Sequence, residues 1–109
     1  MQKGNYNFVE MDLLEEFIDQ NPRLSSKRID FFDGEQLLVY KDGSPNVYFD
    51  AILHLSSYGH ENNLLEVMGD IVKDTEDSVK GWLTANDIIA MITEDLEGKR
   101  KKKRIIIIT

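Results

Sequence analysis

Between Arg28 and His54 the chain alternates with a period of two, and this block constrains the fold more than any other feature. Strands put successive side chains on opposite faces, so the alternation predicts strands over Arg28–Phe32, Glu35–Lys41 and Asn46–His54. Asp33-Gly34 has the composition of a two-residue hairpin loop, and Asp42-Gly43-Ser44-Pro45 that of a longer turn. Val47, Phe49, Ala51 and Leu53 share one face of the third strand; Asn46, Tyr48, Asp50, Ile52 and His54 share the other. One apolar and one mixed face imply an antiparallel meander covered on one side.

Helical patterns flank the block. Leu13, Leu14, Phe17 and Ile18 form one stripe, Asp12 and Glu15 have the spacing of a capping box, and Pro22 ends the segment. Thr84-Ala85-Asn86-Asp87 opens a second helix with Ala85, Ile88, Ile89, Ile92 and Leu96 along one side and Gly98 at its end. Residues 64–72 (LLEVMGDIV) fit either period. Gly69 costs a helix about 1 kcal/mol, which favours a fourth strand with a bulge there. Val79–Leu83 reads as a short extended piece after the polar loop Lys73–Lys80. The expected fold class is α+β: an antiparallel sheet of three to four strands with two helices on one face, in the order α-β-β-β-(β)-α. Residues 1–98 form a single acidic domain, and residues 99–109 a basic, isoleucine-ended tail able to add a C-terminal strand.

The charge is segregated along the chain. Six of the 13 basic residues are Lys99–Arg104, which leaves 7 before them against all 20 acids, a charge of −13 over residues 1–98. Such a body repels phosphate backbones, so direct nucleic-acid binding is disfavoured except through the 99–104 tail. It attracts basic protein surfaces instead, although many acidic domains owe nothing but solubility to their charge. There is no cysteine, which excludes disulfides, thiolate metal sites and cysteine nucleophiles. No apolar run approaches the roughly 20 residues of a membrane span. The first residues lack a signal-like apolar stretch, so the expected location is cytoplasmic.

Chemistry-bearing patterns are sparse. His54, His60 and Glu61, with Asp50 nearby, are the one set able to serve a metal-dependent enzyme, and their spacing matches no ligand motif. Asp74, Glu76 and Asp77 cluster in a loop, but a calcium loop counted from Asp74 needs glycine and glutamate where Val79 and Ala85 stand. No nucleophile elbow or glycine-rich phosphate cradle occurs. No catalytic, cofactor or metal residue is therefore assigned. Trp82 reads as a packed core residue, and Tyr58 as either buried or an interface anchor.

The phrases SYGHENNLLEVMG and GWLTANDII resemble small accessory proteins from phages of Gram-positive bacteria, a resemblance that implies an interaction protein and assigns no residue a role. The expected function is a small non-enzymatic regulator or inhibitor that binds a basic partner protein through Asp70, Asp74, Glu76, Asp77, Glu94 and Asp95. Two other classes stay open. One is a self-associating protein, a homodimer pairing through Ile105, Ile106, Ile107 and Ile108. The other is a small metal-dependent enzyme using His54 and His60.

Overall fold

The computed structural model describes residues 5–72 and 78–98. Asp74, Glu76, Asp77 and Ile105–Ile108 lie outside the described residues. Helix α1 (Val9–Asp19) is followed by strands β1 (Leu24–Phe31), β2 (Gly34–Lys41), β3 (Val47–Leu53), β4 (Leu65–Gly69) and β5 (Val79–Leu83), then helix α2 (Ala85–Leu96). The strands make one antiparallel sheet in the order β1-β2-β3-β4-β5. The α+β arrangement expected from the sequence holds, with one strand more: Val79–Leu83 pairs with β4 as a full fifth strand. Among the described residues, no helix is long and apolar enough to cross a membrane.

Cross-strand partners share a face, so pairing defines the two sides of the sheet. Leu37, Ala51 and Val67 align across three strands, beside Val39 and Phe49. All five are fully buried beneath Met11, Leu14 and Ile18 of α1 and Ile88 and Ile92 of α2. The opposite side is mixed: Leu38, Asp50 and Met68 align, as do Gln36, Ile52 and Glu66. There Gln36 donates to Asp50 at 2.7 Å.

Local expectations fail where a neighbour distant in sequence decides. The β1–β2 loop is Phe32-Asp33, not Asp33-Gly34, because Gly34 already pairs with Phe31. A Cβ at Gly34 would lie 1.8 Å from the Leu53 carbonyl oxygen, so this glycine permits close strand approach. Phe32 takes the left-handed conformation instead, with φ +56°. β1 also begins earlier than expected, at Leu24, which pairs with Lys41. Gly69 is no bulge; its φ of +131° and a would-be Cβ contact of 2.6 Å to Phe49 Cα let it close on β3.

The bulges lie elsewhere. Between β2 and β3 the register shifts so that Tyr48 is extra. Its ring is buried under the Lys41 ammonium and its hydroxyl bonds Asp95 of α2, while Val47 is turned out to solvent. Between β4 and β5, Gly81 and Trp82 together oppose Glu66.

Helix α1 starts three residues before its expected cap. Asn7 accepts the Val9 N–H at 2.9 Å, and Asp12 and Glu15 do not cap but bind Arg28 of β1, at 2.7 and 2.8 Å. Leu13 consequently falls on the outer face. At α2 the expected capping box forms: Thr84 accepts from the Asp87 N–H and Asp87 from the Thr84 N–H, at 3.1 and 2.9 Å. Gly98, at φ +72°, follows its last turn.

Candidate functional site

The two helices together carry eight acidic residues and no basic one: Glu10, Asp12, Glu15, Glu16 and Asp19 on α1, Asp87, Glu94 and Asp95 on α2. The five strands hold four acids and four bases. Negative charge within the described elements is thus gathered on the helical layer, a division produced by the packing of both helices on one side.

Several of these acids have structural tasks. Arg28 rises from β1 into the layer and binds Asp12, Glu15 and, at 2.5 Å, Glu35. Burial pulls its guanidinium down, but the bonds to Glu15, Asp12 and Glu35 outweigh this and hold it above the ordinary value. Glu10 accepts the Ala85 N–H at 2.7 Å, tying α1 to the first turn of α2. Asp87 completes the cap and Asp95 holds Tyr48. Glu16, Asp19 and Glu94 remain exposed, with no ion pair among the described residues. Their spacing with Asp12 and Asp87 follows the outward side of each helix.

Of the residues expected to contact a partner, Asp70, Glu94 and Asp95 are described. Asp70 is exposed in the 3-10 turn after β4 and lines a concavity with Tyr48 and Lys41. Asp95 meets the same tyrosine from α2, so Asp70 and Asp95 flank Tyr48, whereas Glu94 faces solvent. Glu16 and Asp19 were not singled out from the sequence, although helical periodicity places both away from the Leu14 and Ile18 stripe.

The histidines occupy separate settings. His54 is buried, its Nδ1 accepts the Ser56 N–H at 3.2 Å, and its ring packs on Phe31 and Phe32. His60 reaches Glu61 at 3.9 Å and meets Tyr6 edge-on. Among the described residues no three histidines, aspartates or glutamates are grouped to hold a metal ion.

One end of the sheet carries exposed apolar side chains: Phe32 on the β1–β2 loop, Leu55 and Tyr58 after β3, and Trp82 at the end of β5. Trp82 is 57% exposed, contrary to the core position expected of it. The bulge opposite Glu66 and its φ of +55° turn the indole outward, where it stacks on Tyr58 with planes 9° apart and centroids 5.3 Å apart. Tyr58 is fixed from behind, its N–H donating to Glu66 at 2.7 Å and its carbonyl accepting from the Trp82 N–H at 3.2 Å. Asp33 braces the neighbouring loop by accepting from the Leu55 N–H and the Tyr6 hydroxyl. The bond from Leu55, then that from Tyr6, holds the Asp33 carboxyl below its usual range. Burial and the same aspartate push the Tyr6 phenol up to about 12.

Compared with known protein families, with characterised proteins and with solved structures, the chain shows no match.

Proposed function

We propose that this chain is a non-enzymatic binding protein, a regulator or inhibitor, that docks its helical layer on a basic surface of a partner protein. The observation that carries the reading is the eight-to-none excess of acids over bases on α1 and α2. A one-signed face on a rigid two-helix layer attracts a surface of opposite sign over a Debye length, about 8 Å at physiological salt. It also orients the encounter, since the sheet opposite it is balanced in charge. Arg28 and the capping interactions hold the helices in place, and Glu16, Asp19 and Glu94 supply outward charge.

The test is capture from the native host with the full chain immobilised, at low and high salt, beside a variant carrying Glu16→Lys, Asp19→Lys and Glu94→Lys. The expected result is a basic protein held at low salt, released at high salt and not held by the variant. Equal retention by the variant, or retention indifferent to salt, sinks the reading.

A further inference from the structure

Three polar side chains are buried among the described residues: His54, Ser57 and Glu66. Ser57 donates to the His54 carbonyl and accepts the His54 N–H, and Glu66 accepts the Tyr58 N–H. His54, only 8% exposed, engages a single ring nitrogen: Nδ1 accepts the Ser56 N–H at 3.2 Å. A backbone N–H can only donate, so Nδ1 gives its lone pair and the uncharged imidazole carries its proton on Nε2. Nε2 thus offers a donor and no lone pair.

Among the described residues Nε2 has no hydrogen-bond partner, yet no side-chain nitrogen or oxygen there is both buried and unsatisfied. It must therefore reach the surface. His54 lines a concavity of about 290 Å³ with Phe32, Asp33, Leu55 and Ser56, and Nε2 opens into it. Phe32 and Leu55, at 67% and 65%, are the two most exposed large apolar side chains among the described residues. Asp33 accepts one bond from another residue on each oxygen, from Leu55 and from Tyr6. A carboxylate has about four lone-pair sites, so it can accept again.

The chemistry of the walls selects the ligand. The Nε2–H calls for an acceptor and opposes a cation or a second donor facing it. The Asp33 carboxylate opposes an anionic acceptor, so the acceptor is neutral. Phe32 and Leu55 call for an apolar body. The volume lies just under the roughly 300–1,000 Å³ of drug-sized sites, which suits one large side chain with its adjoining peptide group. A peptide group supplies the neutral acceptor and also an N–H for Asp33. The site is preformed: Ser57 fixes the His54 backbone, Phe31 and Phe32 pack on its ring, and Asp33 braces Leu55. Little ordering then opposes binding.

We propose that the concavity between Phe32 and Leu55 binds one large apolar residue of a partner polypeptide. Its side chain lies between the two walls, its carbonyl accepts from His54 Nε2 and its N–H donates to Asp33. The inference does not depend on the charge of the helical layer.

Nuclear magnetic resonance of the full chain, read at the histidine ring nitrogens and the Leu55 amide, tests this with three probes. N-acetyl-leucine methylamide should shift both signals saturably, with a Kd on the order of 1–10 mM. N-methylacetamide lacks the apolar body and isocaproate replaces the neutral acceptor with an anion; each should bind about tenfold more weakly. His54→Asn puts a side-chain oxygen where Nδ1 stands, keeping an acceptor for Ser56 while removing the Nε2–H. Leu55→Ala removes a wall that is already exposed. Both variants should weaken the leucine probe about tenfold at the residue 55 amide, with unchanged circular dichroism. Absence of saturation in the wild type, isocaproate bound as tightly as the leucine probe, or equal binding by His54→Asn overturns the proposal.

Discussion

The carboxylate of Glu66 accepts the backbone N–H of Tyr58 at 2.7 Å, and through that bond a nearly buried acid of β4 sets the position of an exposed aromatic residue eight positions earlier. Glu66→Ala would leave a part-buried N–H without its acceptor, at a cost of about 1–3 kcal/mol. A lowered Tm and an altered Trp82 fluorescence maximum, both largely restored by Glu66→Gln, are the expected outcome. An unchanged Tm and spectrum in Glu66→Ala would show that the bond does not hold the stack.

The β1–β2 connection makes opposite predictions for the two residues that flank Asp33. Phe32 is left-handed at φ +56°, a conformation asparagine tolerates better, so Phe32→Asn should stabilise by about 0.5–1 kcal/mol. Gly34→Ala would drive a Cβ into the Leu53 carbonyl and should destabilise by about 3 kcal/mol. Denaturant midpoints measure both. If Gly34→Ala is neutral, the loop is Asp33-Gly34 after all.

Arg28 binds three carboxylates with one guanidinium and joins α1 to β1 and β2. Arg28→Met should cost about 3 kcal/mol, because the largely buried carboxylate of Glu35 loses its guanidinium bond while Asp12 and Glu15 lose theirs. Arg28→Lys should recover only part of this, since an ammonium lacks the planar fork. Urea unfolding of the two variants distinguishes a bridging role from a merely surface charge, which would leave both near wild type.

Stability should vary at both ends of the pH scale. Asp33 and Asp42 are held below their ordinary value of 3.8, by the Leu55 N–H and by Arg23 respectively. Their contribution is present above 3.8 and is lost as the pH falls through the lowered values. Tyr6 is raised from 10.0 to about 12, so its contribution is full below 10.0 and disappears as the pH rises through about 12. Tm profiles should show Asp33→Asn flattening the acid limb and Tyr6→Phe the alkaline limb; unaltered limbs would refute the assignment.

Asp50 behaves in the reverse sense. Burial pushes its carboxyl up despite the bond from Gln36, so its ionised form opposes folding at neutral pH. Asp50→Asn, which keeps an acceptor for Gln36, should raise the Tm at pH 7 and lose that advantage below 3.8. A variant less stable than wild type at pH 7 would contradict this.

What could be read from the chain alone was local. Period-two alternation marked β2 and β3, Thr84 and Asp87 marked the start of α2, and the glycine in residues 64–72 favoured a strand over a helix. Each of these depends on residues within a few positions of one another, where propensity, capping and periodicity act. The acidic excess was also plain, but its gathering on one layer required both helices to pack on the same side of the sheet. Gly34 and Trp82 show why the remainder was hidden. Gly34 resembles a turn glycine until Leu53 comes beside it, and Trp82 resembles a core residue until the β4–β5 register turns it toward Tyr58. In both cases a backbone brought close from far along the chain sets the available conformation, and steric exclusion between distant segments exists only once the sheet has formed.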